Sequence, residues 1–239
     1  MPDWTRGMKQ DFEYYEVDPN SWLDKRKLDH ITSSTISRDD SSETLASATI
    51  DSTDEYEEMY IRIYLKTLQD GIEEKEDLGT FLIQTPHDKY DGRVHKYSYD
   101  TYSPLLELKD APPPLGFYVP KGTNIMNSVY SLCLDVYRPP VVAGVSDEVL
   151  NTDFISNTDD TWLSFISDLI ANADFTLGLD ERSRLIFVPK QDIAAMQPRW
   201  EYNDDNSSIL YPDISMERDL YGVPNRRSEE RRVGKECRS

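Results

Sequence analysis

Residues 59–68 read MYIRIYLKTL, and Gln69-Asp70-Gly71 follows directly. Tyr60, Arg62, Tyr64 and Lys66 alternate with Met59, Ile61, Ile63 and Leu65, the period-two signature of a half-buried strand. The apolar set belongs to a core. Arg62 falls on the opposite, polar and aromatic face and is expected to matter little for folding. Gln69-Asp70-Gly71 has turn chemistry, so residues 78–85 (LGTFLIQT) are expected to return as the hairpin partner. Residues 87–92 (HDKYDG) read as a second turn, with a strand over 94–99 beyond it. Upstream, residues 12–17 end at Asp18-Pro19-Asn20, and residues 44–50 end in the acidic run 51–55; both read as strands. Strands spaced by roughly 10–15 residues describe a small barrel or sandwich.

The pattern stops at Asp110-Ala111-Pro112-Pro113-Pro114, where consecutive prolines remove backbone donors and impose an extended path. Beyond this boundary Thr123 or Asn124 is expected to cap a helix whose apolar stripe is Ile125, Met126, Val129, Leu132, Cys133 and Val136, with Pro139-Pro140 ending it. Thr158 or Asp159 is expected to cap a second helix that buries Leu163, Ile166, Leu169, Ile170 and Ala173 and turns Asp168 to water. Residues 175–179 and 184–188 flank Asp180-Glu181-Arg182-Ser183 as a hairpin. This middle segment therefore reads as α+β. A polar linker at 203–208 leads to a further strand starting at Ile214-Ser215-Met216.

The 239 residues carry 45 acidic against 26 basic side chains, a net charge of −19. Such a balance disfavours gripping nucleic-acid phosphates, because the electrostatic contribution would be repulsive. No apolar run reaches the ~18 residues of a membrane-spanning helix, and residues 1–12 lack a signal-peptide pattern. Two cysteines, Cys133 and Cys237, make no disulfide framework and fit a reducing compartment.

Residues 227–239 (RSEERRVGKECRS) reverse the charge habit, with five basic residues against three acidic. Back-translated, the string resembles a sequencing-library adapter read in frame, and it is expected to be foreign to the natural protein, which would continue past Asn225.

Catalytic motifs of the nucleophile-elbow, zinc-protease, Walker and dinucleotide types are missing from the sequence. His30, His87 and His95 are the imidazoles. His87 and His95 bracket the turn containing Asp88 and Asp91, which would suit a metal only if both rings converged; surface roles are the expectation. Residues 51–55 and 153–160 are acidic but lack the order of a calcium loop. A glycosidase-like carboxylate pair has only the abundance of acids behind it. Cys133, on an apolar stripe, reads as a buried hydrophobe. No catalytic, cofactor-binding or metal-binding residue is assigned, and no cofactor is expected.

Four stretches carry a family resemblance: residues 22–37 (WLDKRKLDHITSSTIS), the strand pair 60–85 ending in GTFLIQTP, residues 91–108 (DGRVHKYSYDTYSPLLEL), and Gly122-Thr123-Asn124-Ile125. Together they resemble the baseplate hub, or tail-associated hub, of long-tailed bacteriophages, a family that includes the hub part of type VI secretion spikes. Residues 214–225 (ISMERDLYGVPN) resemble the strand entering the second barrel of such hubs. The resemblance implies a mainly β, α+β chain. Residues 1–110 would form a tube-like β-barrel, 111–205 an α+β domain, and 206–226 the start of a truncated second barrel. It also implies a non-enzymatic homotrimeric ring joining the hexameric tail tube to tail-tip and baseplate proteins. Such a ring is assembled in the host cytoplasm and carried in the virion, with no membrane contact. An acidic lumen would let genome DNA slide through without specific binding. The alternative is a phage or bacterial enzyme that degrades cell wall or carbohydrate with a carboxylate pair.

Overall fold

The computed structural model describes residues 2–191 other than Thr5, Asp91 and Val94, together with Met196. The linker at 203–208, the strand at 214–216, Cys237 and the segment 227–239 lie outside the described residues.

The N-terminal elements are β1 (Lys9–Val17), β2 (Asp24–Lys27), β3 (Ile31–Arg38), β4 (Ala46–Ser52), β5 (Tyr60–Gln69), β6 (Ile72–Tyr90) and β7 (His95–Tyr102). They make one antiparallel sheet in the order β2-β1-β5-β6-β7-β4-β3. The segment 59–68 supplies an interior strand of it, β5, between β1 and β6. Asp70 and Gly71, at φ 52° and 81°, form the two-residue turn that matches strand twist and launches β6.

The sheet is strongly curled. Tyr14 of β1 and Ser34 of β3, five places apart in the strand order, touch hydroxyl to hydroxyl at 2.9 Å, and Arg38 of β3 donates to the Leu78 carbonyl of β6. Leu28, Asp29 and His30 alone separate the two edge strands, yet no hydrogen-bonded ladder joins β2 to β3 among the described residues. The concave face encloses a core of Tyr14, Ile50, Ile61, Ile63, Phe81 and Tyr99.

Several expectations change. β5 is buried on both faces: Arg62 is 2% exposed, and Tyr60 and Tyr64 are also covered. An interior strand packed on its second face loses the polar outlook that alternation predicts. β6 begins at Ile72 and runs through His87–Tyr90, so residues 87–90 belong to a strand and the turn lies further on. Its acidic start is held by pairs such as Lys66–Glu73 and Lys75–Glu13. β2 and β3 escaped the periodicity because one is wholly charged and the other is rich in Ser and Thr.

The second half carries α1 (Leu106–Asp110), β8 (Tyr118–Val119), α2 (Ile125–Val136), β9 (Phe154–Ile155), α3 (Trp162–Ala171), β10 (Phe175–Leu179) and β11 (Leu185–Pro189). α1, β8 and β9 are too short for a periodic signal. On α2, Ile125, Met126, Val129 and Cys133 are buried and the Asn124 side chain caps the Asn127 N–H at 2.9 Å. On α3, Leu163, Ile166, Leu169 and Ile170 are buried as expected, Ala173 is buried just beyond it, and Asp168 is exposed. Its cap is Thr161, in a capping box with Ser164, and not Thr158 or Asp159. Residues 157–160 form a turn of their own, closed by the Asp160 carboxylate on the Asn157 N–H at 2.7 Å. The helices pack with β10 and β11 into a second core. Up to Gln191 the chain forms one compact unit, and a small cluster of Val17, Trp22, Tyr60 and Leu82, with Leu106 against it, lies on the convex side of the sheet. Each such buried side chain contributes about 1.5–3 kcal/mol relative to an exposed one.

Candidate interaction surface

The convex face of β5 meets the β10–β11 hairpin through polar groups. Arg62 donates from Nη1 to Asp24 Oδ1 at 2.8 Å, from Nη2 to the Trp22 carbonyl at 3.1 Å, and from Nε to Thr80 Oγ1 at 2.9 Å. Tyr64 donates its hydroxyl to the other Asp24 oxygen at 2.7 Å; burial, with that bond, pushes its ionisation up to about 12. Trp22 Nε1 reaches the Arg182 carbonyl at 3.2 Å, and the Thr80 N–H donates to Ser183 Oγ at 2.8 Å. Trp22 and Ser183 both hold positive φ, 57° and 58°, a conformation non-glycine residues keep only where the surroundings dictate it. Arg182 closes the seam on Asp77 at 3.0 Å. A second tie joins Tyr60 and Arg138 to the Glu107 carboxylate. These contacts are structural: every charged group in them already has a partner.

The ends of β6 and β7 form an arm. β5 stops pairing at Tyr60↔Leu82 and β4 at Ser52↔Tyr97, so the last rungs, Lys89↔Lys96 and Tyr90↔His95, are two-stranded. Tyr90, His95, Tyr97 and Tyr99 occupy one face and stack in sequence, with ring centroids 4.6, 6.0 and 6.4 Å apart. Tyr99 is buried and anchors the row, while Tyr90 at the far end is 61% exposed. The other face carries His87, Lys89, Lys96 and Ser98 by the same register. The sequence HKYSY over 95–99 carries this signal, and the turn chemistry within 87–92 masks it.

That register separates the two histidines onto opposite faces. His95 Nδ1 sits 3.1 Å from Asp88, whereas His87 Nε2 lies 3.5 Å from Asp100, and His30 is 3.7 Å from Asp54. No cluster of metal-ligating side chains occurs among the described residues. Cys133 is fully buried and its thiol is pushed up to about 12 by burial, so it stays protonated and unreactive. Among the described residues, the carboxyls that leave their ordinary values, Glu13, Glu16, Asp18, Asp39 and Asp51, all move down. A hydrogen bond from Lys75 takes Glu13 to about 2.

The fold is shared with proteins of phage-type tails. The tail protein from Neisseria meningitidis MC58 aligns with 74% of this chain and 51% of its own, at 12% identity and a TM-score of 0.52. The 43 kDa tail protein of prophage MuSo2 from Shewanella oneidensis aligns over 77% and 56%, at 12% identity and a TM-score of 0.53. A chain of the Francisella PdpA–VgrG complex aligns over 82% and 31%, at 10% identity and a TM-score of 0.50. At such identities the likeness is one of fold. The chain spans about half the length of the two tail proteins. No protein-family model matches the chain, and no curated protein does.

Proposed function

We propose that the chain is a structural, non-enzymatic component of a phage-type tail: a hub that forms a homotrimeric ring between the hexameric tail tube and the tail tip. The observation that carries this reading is the fold shared with two tail proteins over 74% and 77% of the chain. In this reading residues 1–110, which hold the curled sheet, are the tube-like barrel, and 111–205 are an α+β domain. Residues 206–226 then begin a second barrel, and 227–239 are foreign. The partners are further copies, the tail tube protein and tail-tip or baseplate proteins, and the place of action is the virion tail. The net charge of −19 supports a passage through which DNA moves without being held. The downward shifts of Glu13, Glu16 and Asp51 support carboxylates that stay ionised in structural pairs.

Size-exclusion chromatography with light scattering tests the reading. The expected mass is three times the 27.7 kDa of one chain. A mass of one chain at every concentration would overturn it.

A further inference from the structure

Lys89 and Lys96 stand directly opposite each other across the β6–β7 ladder, on the first rung past the end of β4. Like charges facing one another across an antiparallel pair destabilise it. Neither lysine has a carboxylate within ion-pair distance among the described residues, whereas many other cations are neutralised within the chain, Lys66 by Glu73, Lys109 by Glu43 and Arg138 by Glu107. A hollow of about 410 Å³ lies beside the two lysines, lined also by Thr32, Thr53, Ser98 and one carboxylate, Asp51. Asp51 is already engaged by Ser33 Oγ at 2.6 Å, and Ser33, Ser98 and the field of Lys89 hold it below the usual carboxylate range. Among the lining residues, which also include Ser52 and Tyr97, two ammonium groups stand against one carboxylate on a chain of net −19. The aromatic row on the opposite face stiffens the arm that presents it.

The complementary imbalance lies between β4 and β5. Asp54, Glu55, Glu57 and Glu58 are exposed, and Glu55, Glu57 and Glu58 have no cation within ion-pair distance among the described residues. This loop is held in place, since the Tyr56 N–H donates to the Tyr99 hydroxyl at 2.7 Å. The lysine rung and the acidic loop form no ion pair with each other within one chain. The acidic loop begins one residue past Thr53 of the hollow's wall, and a contact between copies brings the lysine rung of one chain against the loop of another.

We propose that Lys89 and Lys96 receive the acidic loop 54–58 of a second copy of this chain. The proposal rests on the ring reading above and deepens it by naming the two surfaces that meet. Charge at such a contact sets partner choice and register.

Light scattering and sedimentation of the 239-residue chain test it with K89E, with E57K/E58K, and with K89E/K96E/E57K/E58K. K89E places opposite charges across the rung, so the thermal midpoint holds or rises while self-association weakens by about tenfold or more. E57K/E58K weakens association similarly, the four-fold exchange restores it, and added salt weakens the wild type. An associated wild type whose concentration profile is unchanged by K89E overturns this contact and leaves the ring reading standing. Failure of the four-fold exchange to restore association also overturns it. A wild type that stays monomeric at every concentration overturns both. Loss of duplex-DNA binding in K89E with self-association intact would assign the pair to a polyanion and refute the proposal.

Discussion

Arg62 of β5 and Asp24 of β2 are joined at 2.8 Å from Nη1 to Oδ1, although β1 lies between their strands in the sheet. The side chains reach across the convex face above β1. There Trp22 offers its carbonyl to the same guanidinium and its indole to Arg182. A charge sealed from water in this way is costly unless it is paired and hydrogen-bonded, and here each of the three guanidinium nitrogens donates at least once.

Replacing Arg62 with Ala is therefore expected to destabilise the chain by about 3 kcal/mol, the cost of breaking a buried pair from one side. D24N, which strands the cation, should cost a comparable amount. Chemical denaturation of both variants checks this, and wild-type midpoints would show that the network is idle.

Ile63 is fully buried in the concave core. Ile63→Asp would place an unpaired carboxylate there at a cost of several kcal/mol, on the scale of a whole domain's stability. Circular dichroism should show no cooperative thermal transition in the variant. A sharp transition near that of the wild type would contradict the strand phase.

Ser183 accepts the Thr80 N–H at a β6 position next to Gly79, where the ladder with β5 is irregular. Ser183→Ala leaves that buried donor without an acceptor and should cost about 1–3 kcal/mol. Hydrogen exchange at the Thr80 amide should accelerate in the variant more than at Ile63. Equal protection before and after would mean that water or another group satisfies the donor.

Glu13 titrates at about 2 in the folded chain against an ordinary 4.5, through its bond to Lys75 and then Lys27. A depressed folded value means that its contribution to stability is full above pH 4.5 and disappears as pH falls from there through about 2. E13Q should thus lower stability near neutrality and reduce the acid sensitivity within that window. Urea titrations at about pH 7 and about pH 3 measure the difference. Parallel losses in both proteins would remove Glu13 from the account.

The periodic elements were readable from the sequence: β5 with its turn, the stripes of α2 and α3, and the β10–β11 hairpin all announce themselves by spacing. What local pattern could not carry was the second face of β5. Alternation of Ile61, Ile63 and Leu65 marks one face as core, but Arg62 looks solvent-facing until Trp22, Asp24 and Ser183, distant in sequence, are brought over it. β3 was hidden for a different reason, since Ser and Thr along ITSSTISR give no contrast between faces. The arm was hidden by Asp88 and Gly92, whose turn chemistry outweighed the alternation of Tyr90, His95, Tyr97 and Tyr99. The opposed pair of Lys89 and Lys96 exists only in the register, which no single strand encodes.

Negative-stain electron microscopy of the purified chain addresses the structural-hub reading most directly. The account predicts three-fold ring-shaped particles with a central opening, and K89E should scatter them into smaller pieces. Uniform single-chain particles, at concentrations where light scattering finds the mass of one chain, would contradict it.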